Sequence, residues 1–237
     1  MEDIEVTTPS GVMPAYLARA APGSPKRPPV VLLHEAFGLN DHIRSIADRL
    51  AWLGHDAIAP HLYYRRTREP AAYDDVPLAV ELASELSIPD IVADFDAAAA
   101  RVTNGDESVI ALGYCFGGAV AYIAAALSAR VERAVAYYPV SILNYWDRAG
   151  APRAPLLVYF GDDDEFLGPD ERNWLAGLHR DRSVKMRTRI FPGAGHAFFN
   201  DARPDLYHDD SALESWAETL RFFDQGLTTR GKSPAAD

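Results

Sequence analysis

Apolar residues along this chain fall into short unbroken runs, separated by longer stretches in which they recur every third or fourth position. Val30-Val31-Leu32-Leu33, within Pro29–Leu33, is such a run and reads as a strand buried on both faces. From Asp41 to Leu53 the apolar residues Ile43, Ile46, Ala47, Leu50 and Leu53 keep helical spacing, with Gly54 as a stop. The alternation continues with strands at Ala57–Ala59 (ending at Pro60), Ser108–Tyr114, Val131–Tyr138, Pro155–Phe160 and Val184–Phe191. Between and after them lie helical patterns from Pro89 to Val102, Gly117–Leu127, Pro169–Leu178 and Ser211–Phe223, and Pro77 is placed to open one more. Strands alternating with helices predict an α/β fold: a mainly parallel, doubly wound sheet with helices on both faces. Ile4–Thr8 and Val12–Ala18 flank Pro9-Ser10-Gly11 and predict an antiparallel hairpin at the N-terminal edge.

No internal repeat and no linker divides the pattern, so residues 1–226 are expected to form one domain and the polar tail 227–237 to be mobile. The 237 residues are 48% hydrophobic, enough for a sizeable core, and the single cysteine excludes an internal disulfide framework. Lys and Arg total 23 against 34 Asp and Glu, a formal net charge of -11, which argues against a nucleic-acid partner. The longest small-and-apolar run, Ala119–Leu127, is far short of the roughly 20 residues that cross a bilayer. The start Met1-Glu2-Asp3-Ile4-Glu5 lacks the basic and apolar regions of a secretory signal. The expectation is a soluble, cytoplasmic protein that does not engage membranes.

The chemistry centres on Gly113-Tyr114-Cys115-Phe116-Gly117-Gly118, between a predicted strand and a predicted helix. This is the spacing of a nucleophile elbow, Gly-x-nucleophile-x-Gly, with cysteine in the nucleophile position. A dinucleotide fingerprint needs glycine where Cys115 stands, and a P-loop needs a Lys-Ser or Lys-Thr that is absent. His34-Glu35 does not begin a zinc-binding His-Glu-x-x-His, because residue 38 is glycine. An elbow calls for an acid and then a histidine later in the chain. Strand Pro155–Phe160 runs into Gly161-Asp162-Asp163-Asp164-Glu165, and strand Val184–Phe191 into Pro192-Gly193-Ala194-Gly195-His196. His196 is thus the candidate base, and any of the three aspartates could orient it. By pattern, His42, His55, His61 and His179 belong on helix or loop surfaces.

Together, His34-Glu35-Ala36-Phe37-Gly38-Leu39-Asn40, the elbow, and Gly193-Ala194-Gly195-His196 with Phe198 resemble the dienelactone hydrolase family of α/β-hydrolases over nearly the whole chain. The resemblance implies a Cys-His-Asp triad of Cys115, His196 and Asp164, with Asp162 the second choice for the acid. It implies that Glu35 accepts the thiol proton, that the backbone N–H groups of Ala36 and Phe116 form the oxyanion hole, and that Phe37, Tyr138, Ala197, Phe198 and Asn200 line the pocket. No metal or organic cofactor is implied. The founding members hold a substrate carboxylate with two arginines. The position of one, four residues after the histidine, is Asn200 here, and the other aligns with Val76, leaving Arg65, Arg66 or Arg68 as substitutes. The expected activity is hydrolysis of a small ester or lactone through a thioester. The alternatives are a catalytically weak small-molecule binding protein and a thiol-based redox sensor.

Overall fold

The computed structural model describes residues 1–178 and 184–225. His179 and the tail 227–237 lie outside the described residues. Eight strands form one sheet: β1 (Glu2–Thr8), β2 (Gly11–Ala18), β3 (Val30–Leu33), β4 (Ala57–Pro60), β5 (Val109–Tyr114), β6 (Val131–Tyr137), β7 (Leu156–Gly161) and β8 (Met186–Phe191). Their spatial order is β1-β2-β4-β3-β5-β6-β7-β8. β1 and β2 form an antiparallel hairpin, β2 joins β4 antiparallel, and every pairing from β4 to β8 is parallel. The apolar runs of β3, β4, β5 and β7 are buried at every position because helices cover both faces.

The helices α1 (Asp41–Trp52) and α7 (Asp209–Phe223) pack on one face through Ile43, Ile46, Leu50, Phe222 and Phe223. The helices α3 (Ile88–Thr103) and α4 (Phe116–Leu127) pack on the other through Ile91, Phe95, Val120 and Ile123. Local chemistry sets their starts. The Asn40 side chain accepts from the Ile43 N–H at α1, and Ser87 does the same for Asp90 at α3, each satisfying one otherwise orphaned donor. Pro77 and Pro89 stand in the first turns of α2 (Val76–Ser84) and α3. α6 spans Pro169–Leu178.

Three features depart from the sequence pattern. A helix, α5 (Ile142–Ala149), follows β6 where none is expected. Only Ile142 of it is fully buried, so its apolar stripe is faint, and it starts at Ser141 in a left-handed conformation (φ 57°) with no side-chain cap. β8 begins at Met186 rather than Val184, and as an edge strand it is only half covered. His42, His55 and His61 are buried, contrary to the surface placement expected of them. Each is an aromatic filler with a polar handle: His42 meets Asp201, His55 Nδ1 meets the Pro28 carbonyl, and His61 packs against Gly38. Burial lowers the pKa of all three, so they pack as neutral rings.

Glycines at two strand ends and in the first turn of α4 are required by close backbone approach. A Cβ at Gly113 would stand 1.9 Å from the Gly117 carbonyl oxygen, one at Gly117 would stand 2.2 Å from the Leu33 oxygen, and one at Gly161 would stand 1.9 Å from the Ala194 oxygen. These contacts are with backbone, which has no rotamer by which to yield. Gly117→Ala and Gly161→Ala are each expected to destabilise by at least about 3 kcal/mol, roughly 6–12 °C in Tm. Gly105→Ala, where a Cβ meets nothing within 4 Å, should stay within about 0.5 kcal/mol of wild type. Thermal unfolding followed by circular dichroism checks both.

Candidate active site

Cys115 stands between β5 and α4 with φ 54° and ψ -117°, a strained conformation for a residue with a Cβ. Its backbone is held on both sides. Its N–H donates to the Tyr137 carbonyl at 3.0 Å, and its own carbonyl accepts from Gly118 and Ala119 at the start of α4. Its side chain is partly exposed. The N-terminus of α4 points at it, so the helix dipole favours negative charge there. The N–H groups of Ala36 and Phe116 have no hydrogen-bond partner among the described residues. They lie at the ends of β3 and β5, which are neighbours in the sheet.

The turns after β7 and β8 meet because Gly161 lies against the Ala194 carbonyl and the Asp163 N–H donates to that same oxygen at 3.0 Å. This contact brings Asp164 to His196: Nδ1 of the imidazole is 3.0 Å from Oδ2 and 3.2 Å from Oδ1. The other two aspartates are engaged elsewhere or exposed. Asp162 accepts from the Gly193 N–H at 2.6 Å, and Asp163 faces solvent. Asp164 is buried and also accepts from the Phe166 N–H. His196 Nε2 is buried without a formed hydrogen bond. Burial alone would lower the pKa of His196, but the Asp164 hydrogen bond and the nearby Cys115 outweigh it and hold the imidazole up at about 10. The Phe166 ring, largely exposed, stands edge-on to His196 with centroids 4.6 Å apart.

Glu35, just past β3, is 2% exposed. Its Oε2 accepts from Asn200 Nδ2 at 2.8 Å, and the same amide nitrogen lies 3.0 Å from the Tyr73 hydroxyl. Asn200 is therefore not an open subsite: it is fully buried and spent on holding Glu35 and Tyr73. Burial pushes the Glu35 carboxyl up to about 7 against the opposing influence of His196, Arg203, Asn200 and Tyr138. The neighbouring His34 fixes the turn from beneath: its Nδ1 lies 2.6 Å from the Glu35 carbonyl oxygen, and its Nε2 accepts from the Leu62 N–H. With the Leu62 N–H fixing Nε2 as the acceptor, Nδ1 carries the proton.

The Tyr138 ring stands edge-on to His196 with centroids 5.0 Å apart, and its hydroxyl is buried without a partner among the described residues. Phe198 packs behind it at 5.3 Å, and Ala197 (φ 59°) turns the chain so that Asn200 can bond back to its carbonyl. Phe37 meets the Tyr73 ring at 4.8 Å. The three arginines that the sequence offers as anion holders are committed elsewhere: Arg65 to Asp94 and Asp90, Arg66 to Glu81 and Glu85, Arg68 to Glu5. Val76 is exposed at the start of α2. Instead, Arg203 lies over the Phe37 and Tyr73 rings at 5.7 and 5.2 Å and has no ion pair among the described residues. Tyr73 and Arg203 escape the sequence pattern because one sits in a long loop and the other is seven residues past His196 rather than four. A cleft of about 340 Å³ at the amino ends of the strands is remote from all of this, and its cations Arg19, Lys26 and Arg27 are paired with acids.

The sheet order and the cysteine elbow define an α/β-hydrolase. The model of the family described as "Dienelactone hydrolase family" matches residues 13–227, and the chain belongs to that family. It is 33% identical over 225 residues to a Salmonella typhimurium protein named "Putative carboxymethylenebutenolidase", covering 90% of this chain and 83% of that one. A protein of the same name from Methylorubrum extorquens is 28% identical, covering 94% and 80%. A crystal structure described as "Putative Dienelactone Hydrolase" from Klebsiella pneumoniae superimposes with a TM-score of 0.84 at 30% identity, covering 94% of this chain and 98% of that one. The protein is a hydrolase acting on esters or lactones. No helix among the described residues is long and apolar enough to cross a membrane.

The state of Glu35 is readable in stability. Its pKa in the fold, about 7, lies above its ordinary value of 4.5. The folded chain therefore binds more protons between these values, and this contribution is present below pH 4.5 and lost as pH rises through 7. His34 and His61 titrate the opposite way, held near 3 and 4 by burial, so a comparison with Glu35→Gln isolates the carboxyl. The unfolding free energy of Glu35→Gln relative to wild type should rise by a few kcal/mol between pH 4.5 and pH 8. Denaturant melts across that range measure it.

Proposed function

We propose that Cys115, His196 and Asp164 form a nucleophilic triad that hydrolyses a small ester or lactone through a thioester. The observation that carries this reading is the Asp164–His196 hydrogen bond ending at a buried Nε2 beside a cysteine held at positive φ. The thiol proton passes to His196, directly or by way of Glu35, whose carboxyl near pH 7 is present in both forms. The thiolate adds to the carbonyl carbon, the C=O electron pair moves to oxygen, and the N–H groups of Ala36 and Phe116 receive that charge. When the pair returns, the alkoxide leaves and takes the proton of the imidazolium. Neutral His196 then draws a proton from water as it attacks the thioester, and the departing thiolate takes that proton back to restore the resting pair. Asp164 keeps Nδ1 protonated throughout and stabilises the imidazolium.

Arg203 gives the substrate its charge preference. A guanidinium on two aromatic rings, with no ion pair among the described residues and close enough to Glu35 to lower its pKa, suits a carboxylate on the far end of an ester or lactone. In a chain of net charge -11, a local cation is needed to admit such a substrate. The relatives' name, carboxymethylenebutenolidase, points to the same class.

In hydrolysis assays, Cys115→Ala should fall to background, and Asp164→Asn should lose roughly 10²- to 10⁴-fold in kcat. Asp162→Asn should lose less than about tenfold, because the amide still accepts from Gly193. The reverse order of the two aspartates would move the acid. Arg203→Gln should lower kcat/KM about 10- to 100-fold for carboxylated lactones and leave neutral aryl esters unchanged. Equal losses for both would remove the charge preference.

A further inference from the structure

Among the described residues, the buried hydroxyls of Tyr63, Tyr114 and Tyr138 have no hydrogen-bond partner. Tyr114 lies among the rings of Tyr137 and Phe199, and Tyr138 is turned toward Glu35. Tyr63 is placed differently. It follows β4, which flanks β3 on the side opposite β5. Its ring meets His34 edge-on with centroids 4.9 Å apart and lies tilted against Phe116 at 6.1 Å. Its ring therefore contacts side chains from both of the turns that carry the free N–H groups, His34 near Ala36 and Phe116 itself. It is 2% exposed, so its hydroxyl is a donor removed from water with no bond to compensate. Burial raises its pKa, and negative charge on Cys115 raises it further, so it stays a neutral donor at any working pH.

We infer that the Tyr63 hydroxyl is a third donor to the oxyanion, beside the N–H groups of Ala36 and Phe116. The inference rests on Cys115 being the nucleophile. As the Sγ–C bond forms and the carbonyl electron pair moves to oxygen, the phenol donates a hydrogen bond and keeps its proton. When the pair returns and the alkoxide leaves, the hydroxyl is unpartnered again. A donor unpaired in the resting enzyme and paired only at the intermediate lowers the barrier rather than binding the ground state.

Tyr63→Phe removes only the oxygen. Three readouts apply: kcat for p-nitrophenyl acetate, the rate of iodoacetamide alkylation at Cys115, and thermal unfolding. Alkylation displaces iodide at a saturated carbon and forms no oxyanion. The expected result is an ester kcat lowered about 10²-fold, alkylation unchanged and no fall in Tm. Unchanged ester turnover overturns the inference, and so does a parallel fall in both rates, which would mean an effect on the thiol itself. A lower Tm with full turnover also overturns it, by assigning the hydroxyl to a buried water shared with His61, whose ring lies 6.1 Å away with both nitrogens unpaired. If Cys115→Ala retains the wild-type rate, the nucleophile reading has failed, and the third donor falls with it.

Discussion

The contact between the Gly117 α-carbon and the carbonyls of Leu33 and His34 governs the rest of the site. With no room there for a Cβ, α4 can start directly against the end of β3. That approach sets the first turn of α4 against the end of β3 and leaves Cys115 to absorb the turn at φ 54°. The strain is maintained because the hydrogen bonds around Cys115, to Tyr137 on one side and from Gly118 and Ala119 on the other, over-determine its backbone. The same device recurs across the sheet, where Gly161 against Ala194 brings the acid turn to the histidine turn. Two backbone contacts thus set the relative positions of Cys115, His196 and Asp164.

The electrostatics of the site diverge from those of the chain. The protein is strongly acidic overall, yet the candidate site gathers a carboxyl that burial pushes up to about 7, an imidazole held at about 10 and a guanidinium with no ion pair among the described residues. Groups whose environments move their pKa values away from ordinary in a cleft are the mark of acid–base work. Asn200 matters in this balance because a neutral amide holds Glu35 without neutralising it, which leaves the carboxyl able to exchange a proton near neutral pH.

The fold is legible in the sequence where burial is two-sided. Val30–Leu33 and Val109–Tyr114 are continuous apolar runs, and α1 and α3 carry a clear stripe with a capping side chain. It is illegible where stability comes from a few tertiary contacts. α5 is held by Ile142 and by Trp146 packing on Tyr122 and Trp174, with no cap to announce it. The buried histidines mislead because their polar type predicts exposure, whereas each finds a carbonyl, a carboxylate or a ring inside the core. At the site, the chain order of cysteine, aspartates and histidine can be read directly. Which aspartate reaches His196 cannot be read from the residues, since Asp162, Asp163 and Asp164 are chemically alike and differ only in where the Gly161 contact points them. Tyr63 and Arg203 meet the pocket only through the fold and leave no spacing to detect.

In the proposed mechanism, catalysis runs through a covalent thioester on Cys115. Mixing the protein with a slow-deacylating aryl ester, quenching in acid and mapping the digested chain by mass spectrometry tests it most directly. The expected result is one acyl increment on the peptide containing Cys115, released by hydroxylamine. Hydrolysis of the same ester with no adduct on Cys115, or with the adduct on another residue, would contradict it.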